Sequence, residues 1–271
     1  DVNRLVQHLW SSTAHKTAGV LHVGGIAVPD LVANHNTPAL VLDEDDFRQR
    51  ARAFRDAFAG WDVYYAGKAF LCVEVAKWVA QEGLCLDVCS DGELTVALHA
   101  GVDPARIGYH GNNKAMVDLR RAVAAGVGRI IVDSFHEIER LESLTREDGM
   151  RARVMVRVTA GVEAHTHEYI ATAHEDQKFG IPLAGGQAAE AVRRALKLDG
   201  LELIGIHSHI GSQIFDMSGF EVAAHRVVGL LKEIRDEHGV ELPEIDLGGG
   251  LGIAYTSDDD PREPHEIAKA L

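Results

Sequence analysis

The chain has 271 residues, 46% of them hydrophobic and 25% charged, which is the composition of an ordinary globular protein. Its 41 acidic and 27 basic residues give a formal net charge of −14, which opposes binding to nucleic-acid backbones and to anionic membrane surfaces. The three cysteines are interpreted as reduced thiols of a cytoplasmic protein, and we expect neither a signal peptide nor a membrane-spanning run of ~18 to 20 apolar residues.

The first elements in chain order are a short strand over residues 37–43 (TPALVLD) and a helix over residues 43–60. In that helix Phe47, Ala51 and Phe54 recur at helical spacing, and acidic residues crowd the first turn. Seven apolar segments then alternate with amphipathic helical stretches such as 72–83, 92–101 and 113–126. The seven predicted strands are 61–66, 84–89, 106–111, 129–134, 151–158, 201–209 and 243–250.

Strands that are apolar on both faces and alternate with helices predict a parallel sheet. The early spacing of roughly 20 to 25 residues fits one strand and one helix per repeat, as in a (β/α)8 barrel. A barrel needs an eighth strand, and the last residues, PREPHEIAKAL, predict a helix that would lead to it. We therefore expect an α/β fold of the (β/α)8 barrel type, truncated after the seventh strand, in a chain that is a fragment of a longer protein.

The chemistry of a barrel is located at the carboxyl ends of its strands. The ends of the predicted strands carry many groups able to act as a base, a charge partner or an anion receptor. They are Lys68, Asp87, Ser90, His110, Asp133, Arg157, His207, His209, Asp246, Gly248, Gly249 and Gly250.

Three consecutive glycines, Gly248, Gly249 and Gly250, let the backbone approach a ligand and direct N–H groups toward a phosphate. Gly211 and Ser212 of the preceding strand end offer further donors. A glycine run by itself is equally typical of a plain loop, so the signal gains weight only from its neighbours.

Lys68 ends the first barrel strand, where we expect a desolvated amine with a lowered pKa, suited to Schiff-base formation. An amine, a phosphate receptor and an imidazole together fit pyridoxal phosphate. Its aldehyde would bond Lys68, its phosphate would rest on the glycines, and His209 would stack on its ring.

A metal site is the alternative for the histidines. His207 and His209 are two residues apart and face the same way on a strand, and His110 and Asp246 are available as further ligands. This arrangement is found in metal-dependent barrel hydrolases, although a polar strand end is the simpler interpretation. The long connection over 159–186 contains His165, His167 and His174, which we expect to be solvated or near the substrate.

Five motifs in order carry a family resemblance: YYAGKAF (64–70), LDVCSDGEL (86–94), GYHGNNK (108–114), HSHIGSQ (207–213) and DLGGGLGI (246–253). Together they resemble the diaminopimelate decarboxylases. These are fold-type III pyridoxal-phosphate enzymes related to alanine racemase and to the ornithine and arginine decarboxylases. The resemblance runs from about Thr37 to the end of the chain.

The resemblance implies decarboxylation of meso-2,6-diaminopimelate, a small amino-acid substrate, to L-lysine and CO2, with pyridoxal 5'-phosphate as cofactor. It implies a cytoplasmic homodimer with shared active sites that binds neither nucleic acid nor membrane. Lys68 would form the Schiff base, His209 would stack on the ring, and Asp87 and Glu93 would lie near the lysine. The implied cofactor ligands are Arg157, Ser212, Gly248, Gly249 and Gly250. Structural roles remain open: Asp87 as a turn cap, Glu93 as a helix start and Arg157 as a partner of a barrel acid.

The chain departs from the family pattern in two respects. Phe70 replaces an asparagine of the lysine motif, a variation we regard as tolerable. The family's Glu-Pro-Gly-Arg motif and C-terminal β-domain would lie beyond Leu271, so we expect this stretch alone to be inactive. We expect residues 1–43 to form an N-terminal segment whose strand joins that β-domain, and 44–271 to form the barrel domain. The alternatives are an ornithine- or arginine-type decarboxylase, a non-catalytic pyridoxal-phosphate barrel and a metal-dependent hydrolase.

Overall fold

The computed structural model describes residues 4–162 and 179–271. A small antiparallel sheet comes first, with strands β1 (His15–Thr17), β2 (Val20–Val23) and β3 (Ile26–Ala27). The large sheet contains β4 (Tyr64–Ala66), β5 (Cys85–Val88), β6 (Ile107–Tyr109), β7 (Arg129–Val132), β8 (Ala152–Thr159), β9 (Ile181–Pro182), β10 (Leu201–Ser208) and β11 (Glu244–Asp246). The helices are α1 (Val28–His35), α2 (Glu44–Ala57), α3 (Val73–Gln81), α4 (Asp91–His99), α5 (Met116–Ala125), α6 (Phe135–Asp148), α7 (Gln187–Leu196), α8 (Ser218–His238) and α9 (Pro264–Ala270).

Seven strands of the large sheet pair in parallel in the order β4, β5, β6, β7, β8, β10, β11, and the short β9 pairs with the end of β8. In each of these six neighbouring pairs the two strands are also successive predicted strands in the chain, as the topology of a (β/α)8 barrel requires. No pairing joins β4 to β11 within the described residues. The prediction of a parallel barrel sheet with seven strands is confirmed.

The core lies between the sheet and the helices that cover it. On β8, Val154, Val156 and Val158 point into this helix-facing core, while Met155 and Arg157 line the interior of the barrel. This alternation follows from the two-residue period of a strand. Its position in the strand therefore directs the charged side chain of Arg157 into the barrel, although both of its neighbours in sequence are apolar.

The open side of the barrel is bridged at the amino ends of the strands. The guanidinium of Arg129, at the start of β7, donates to Glu244 of β11 at 2.7 Å and 3.0 Å. It also donates to Asp62, just before β4, at 3.2 Å. Arg129 is mostly buried, and its guanidinium lies 5.6 Å from the ring centroid of Tyr64. One side chain therefore links the two edges of the sheet.

Residues 37–43, predicted as a strand that joins the C-terminal β-domain, have no regular structure in the described chain, and their pairing with that domain stays a prediction. A strand is stabilised by hydrogen bonds to a neighbour, and no neighbouring strand pairs with the segment in the part of the chain that the structure describes. Its side chains are accordingly open to solvent: Leu40, Val41 and Leu42 are all exposed. Apolar, β-prone composition indicated a strand here, but pairing decides whether a strand forms.

The predicted helix that follows is confirmed as α2. Asp43 caps it by accepting the N–H groups of Asp45 and Asp46. The same carboxylate accepts a hydrogen bond from the Thr13 hydroxyl, which attaches the N-terminal segment to the barrel. None of the helices in the described ranges is both long and apolar enough to cross a bilayer.

Candidate active site

The carboxyl ends of the strands open into a cavity of about 700 Å³. Eight of the nine predicted site residues line it. They are Lys68, Asp87, Arg157, His209, Ser212, Gly248, Gly249 and Gly250. The ninth, Glu93, is not among the lining residues and lies behind them.

Lys68 is carried by a short 3-10 turn, Gly67–Ala69, that follows β4. Gly67 is buried, and a Cβ at this position would lie 2.7 Å from the carbonyl oxygen of Asp87, so only glycine fits under the lysine. Lys68 itself is exposed and forms no hydrogen bond with another described residue. The expectation of a desolvated amine is therefore wrong for this structure. The amine reaches the cavity from its rim, where a ligand can approach it.

Asp87 projects inward from β5 toward two histidines. Its Oδ1 lies 3.2 Å from Nε2 of His110, and the ring of His110 meets that of His207 edge-on at 5.0 Å. Burial is the main cause that lowers the pKa of His207 well below its ordinary value, so this ring is neutral at physiological pH. Within the described residues, His207 Nδ1 is buried without a hydrogen-bond partner, whereas Nε2 of His110 has Asp87 as its polar neighbour. A buried polar atom is normally paired, so His207 Nδ1 marks a place where a water or a ligand atom fits.

Asp246 adds a second carboxylate to this group. Burial, followed by the neighbouring charge of Asp87, raises its pKa to about 6. Its Oδ1 accepts the N–H of Gly248 at 2.7 Å, so the carboxylate also orients the first residue of the glycine loop.

His209 follows β10 and is half-buried at the cavity wall. Burial lowers its pKa to about 3, and the positive charges of Arg157 and Lys68 contribute to the shift. The imidazole is therefore neutral at physiological pH. A neutral planar ring of this kind can stack on an aromatic ligand without introducing a further charge.

Arg157 lies between an acid and an aromatic ring. Its Nε lies 3.8 Å from Oδ1 of Asp133, and its guanidinium lies 4.7 Å from the ring centroid of Phe179. The other oxygen of Asp133 accepts the N–H of Gly180 at 3.0 Å. Arg157 thus pairs with a barrel acid, as the structural alternative expects, but the distance is too long for a hydrogen bond. The guanidinium also lines the cavity, where its N–H donors are available to a ligand.

A buried ion pair behind this acid was not found from the sequence. Lys114 donates to Glu137 at 2.6 Å, and the other oxygen of Glu137 accepts the N–H of Asp133 at 3.0 Å. The ammonium of Lys114 also donates to two main-chain carbonyls. Lys114 is the last residue of the motif GYHGNNK. Its partner Glu137 lies 23 residues away in sequence, and no local spacing indicates that the two side chains pair.

Glu93 is at the start of α4. Its Oε2 accepts the N–H of Cys89 at 2.7 Å and lies 3.3 Å from the thiol sulfur of the same residue. The Ser90 hydroxyl in turn accepts the N–H of Glu93 at 3.2 Å, which completes a helix-capping arrangement. Oε2 of Glu93 also lies 3.8 Å from the position that a Cβ on Gly67 would occupy. Glu93 thus lies beside the turn that carries Lys68.

The glycine loop follows β11 and is suited to an anion. The N–H groups of Gly249 and Gly250 have no hydrogen-bond partner among the described residues. A Cβ on Gly249 would meet nothing within 4 Å, so space is open beside the loop. Unpaired N–H groups beside an open space are what a phosphate requires, and pyridoxal phosphate fits this set of residues.

The described ranges contain no group of three or more side chains placed to hold a metal ion. The geometry therefore gives the metal-hydrolase alternative no support. His165, His167 and His174, which we expect to be solvated or near the substrate, lie outside the described residues.

Comparisons with known proteins agree with this geometry. Residues 44–271 match the family model of the pyridoxal-dependent decarboxylase, pyridoxal binding domain. The whole chain is 54% identical to the diaminopimelate decarboxylase of Mycobacterium tuberculosis, of which it covers 62%. It is also 54% identical to that of Mycobacterium leprae, of which it covers 59%. The chain thus spans about three fifths of the length of these relatives.

Solved structures give the same result. The crystal structure of diaminopimelate decarboxylase from M. jannaschii superposes on 96% of this chain with a TM-score of 0.89 and 29% identity, and 62% of that chain is covered. The Helicobacter pylori enzyme complexed with L-lysine superposes on 89% of this chain with a TM-score of 0.84 and 30% identity, and 61% of it is covered.

Proposed function

Because the chain belongs to the pyridoxal-dependent decarboxylases, in the part that forms their pyridoxal binding domain, we propose that the protein decarboxylates meso-2,6-diaminopimelate to L-lysine and CO2. The names of its relatives support this substrate, since the curated proteins at 54% identity are diaminopimelate decarboxylases. A lysine/ornithine decarboxylase from Vibrio vulnificus, at 22% identity, shares the fold only. An ornithine-type substrate therefore remains the alternative that the assay must test.

The observation that carries the proposal is that one cavity is lined by the amine of Lys68, the imidazole of His209 and the glycine loop. When bound, pyridoxal 5'-phosphate supplies an aldehyde for an amine and a ring that accepts the electron pair released with carbon dioxide. Lys68 is the residue that would hold the aldehyde end. Ser212 and the N–H groups of Gly249 and Gly250 would hold the phosphate, and Gly248, whose N–H donates to Asp246, would line its site.

The remaining side chains orient the ligand and set its charge environment. His209, kept neutral by burial, would pack on the ring face. Arg157 has donors available for an anionic oxygen, because Asp133 engages it only at 3.8 Å. Asp87 and Glu93 lie near the turn of Lys68, where they place two carboxylates beside the proposed cofactor site.

We further propose that the natural protein is a cytoplasmic homodimer with shared active sites, and that residues 1–43 and 44–271 divide into an N-terminal segment and a barrel domain. The family model, which starts at residue 44, supports this division. Light scattering of the natural protein measures the dimer directly.

The test of the function is release of carbon dioxide by the natural protein in its full length, with added pyridoxal phosphate. We expect faster release from meso-diaminopimelate than from ornithine, and loss of release by several orders of magnitude in Lys68→Ala. Lys77→Ala is the matched control, since Lys77 lies on α3 away from the cavity and is paired with Glu74. Faster turnover of ornithine, or turnover retained in Lys68→Ala, would refute the proposal.

A further inference from the structure

Gln213, the last residue of the HSHIGSQ motif, has a backbone conformation that is unusual for its residue type. Its φ is +56°, in the left-handed region that glycine adopts readily and that other residues adopt at a cost. A residue other than glycine persists in this region when its surroundings favour it. The side chain of Gln213 is therefore the place to look for a compensating interaction.

The side-chain amide of Gln213 pairs with the backbone of Ile253. Its Nε2 donates to the carbonyl of Ile253 at 3.0 Å, and its Oε1 accepts the N–H of Ile253 at 3.0 Å. Both polar groups of the amide and both polar groups of one residue are satisfied by the same contact. The amide thus forms with Ile253 the two hydrogen bonds that a residue of a neighbouring β-strand would form.

This contact extends a short backbone pairing between the same two loops. The N–H of Ile214 donates to the carbonyl of Gly250 at 2.9 Å, and the N–H of Gly252 donates to the carbonyl of Ile214 at 2.8 Å. Gln213 continues this pairing by one residue, to Ile253. The loop that contains Ser212 and the loop that contains the glycines are in this way held together by four hydrogen bonds.

The glycines of the second loop divide into two kinds. A Cβ on Gly250 would lie 1.8 Å from the carbonyl oxygen of Gly211, and a Cβ on Gly248 would lie 2.6 Å from that of Ser208. These two glycines therefore allow close packing of the two loops. Of these three glycines, only Gly249 has open space where its Cβ would be, so the loop is accessible to a ligand at that position.

We propose that Gln213 is a positioning residue for the anion receptor formed by Ser212, Gly249 and Gly250. Its amide holds the glycine loop at the distance from Ser212 at which both loops direct donors toward one phosphate group. Gln213 is not among the residues that line the cavity, so its proposed action on the anion passes through the loop that it holds. The inference rests on the proposed function, since the anion in question is the phosphate of the proposed cofactor.

Binding of pyridoxal phosphate and of pyridoxal, which has no phosphate, separates this role from a general effect on folding. Both ligands are titrated into the natural full-length protein and into Gln213→Ala, and binding is followed by absorbance. We expect the affinity for pyridoxal phosphate to fall about tenfold to a hundredfold, because two hydrogen bonds that shape the receptor are lost. The affinity for pyridoxal should change by less than about twofold.

Gln213→Gly is the second variant. Glycine removes the amide but adopts a positive φ without cost, so it relieves the backbone while it deletes the contact. We expect it to bind pyridoxal phosphate as weakly as Gln213→Ala does. Gln81→Ala is the matched control, because Gln81 also uses its side-chain oxygen in a hydrogen bond, to Arg48, away from the cavity. Its affinities should equal those of the unaltered protein.

Three results would overturn the inference: unchanged phosphate-dependent binding in Gln213→Ala, full affinity in Gln213→Gly, or an equal loss for both ligands. The unaltered protein in the same titration tests the proposed function separately. If it fails to bind pyridoxal phosphate, the function is wrong. If it binds and the variants bind equally well, only the role of Gln213 is wrong.

Discussion

Two helices of the barrel, one after β5 and one after β7, begin with the same four-residue pattern, Ser-x-x-Glu. At α4 the pair is Ser90 and Glu93, and at α6 it is Ser134 and Glu137. In both, the serine accepts the N–H of the glutamate at 3.2 Å. In both, the glutamate accepts the N–H of the residue before the serine.

The surroundings of the two glutamates differ. Glu137 is buried and paired with Lys114 at 2.6 Å, so its charge is neutralised inside the protein. Glu93 forms no ion pair in the described part of the chain and lies beneath the turn that carries Lys68. The same capping motif therefore contributes a buried ion pair to the fold at α6. At α4 it lies beside Lys68, the residue proposed to bind the cofactor. Local sequence identifies the cap, and the nonlocal partner decides its further role.

The largest effect is expected from removal of the partner lysine at α6. Lys114→Met leaves Glu137 buried without its cation, which should lower the free energy of unfolding by about 3–5 kcal/mol. Urea denaturation of the natural protein, followed by circular dichroism, measures this change. The double variant Lys114→Met/Glu137→Gln removes both charges and keeps an acceptor for Asp133, so it should recover at least half of the loss. A loss below about 1 kcal/mol in the single variant would show that the pair is not a support of the fold.

The titratable side chains of the cavity make the stability of the protein depend on pH. His207 and His209 have lowered pKa values in the folded protein, so the stability they contribute is present above about pH 6.5 and is lost as the pH falls. Asp246, whose pKa is raised to about 6, opposes them, because its protonation between about pH 6 and 4 favours the folded state. Two histidines act against one aspartate, so the net effect over that range is a loss of stability as the pH falls.

His209→Gln cannot gain the proton, so the loss of stability between pH 6 and 4 should be smaller in this variant. Urea denaturation at a series of pH values measures it, with His136→Gln as the control because His136 is exposed on α6. An unchanged slope in His209→Gln would contradict the assignment of a buried neutral imidazole at this position.

Much of the barrel follows from sequence because its determinants are local. The two-residue alternation of β8 and the cap of α2 at Asp43 depend on residues close together in the chain. The features that were missed depend on distant partners. Residues 37–43 have the composition of a strand but pair with none in the described chain, and Lys114 follows a polar loop that gives no sign of burial. Gln213 is likewise defined by a contact 40 residues away.

A smaller effect is expected from the two serine caps. Ser134→Ala and Ser90→Ala should each lower the free energy of unfolding by about 1 kcal/mol, because each removes one acceptor from the first turn of a helix. Turnover should separate them: it should fall severalfold in Ser90→Ala, near Lys68, and stay unchanged in Ser134→Ala. Equal turnover in the two variants would remove the functional distinction between the helix starts.

The smallest change in stability is expected for Glu93→Gln. Glutamine also serves in a capping box, so the free energy of unfolding should stay within about 1 kcal/mol of the unaltered value. Turnover should fall about tenfold, since the variant removes a negative charge beneath the Lys68 turn. Comparison of kcat with urea stability checks both statements, and full turnover in Glu93→Gln would leave this residue with a capping role alone.

The central claim is that the amine of Lys68 forms the covalent bond to the cofactor. The direct measurement is borohydride reduction of the natural protein after incubation with pyridoxal phosphate, followed by mass spectrometry of its peptides. The account predicts one modified peptide, which contains Lys68 and is unmodified in Lys68→Ala. A modification located on a different lysine, or none at all in the unaltered protein, would contradict it.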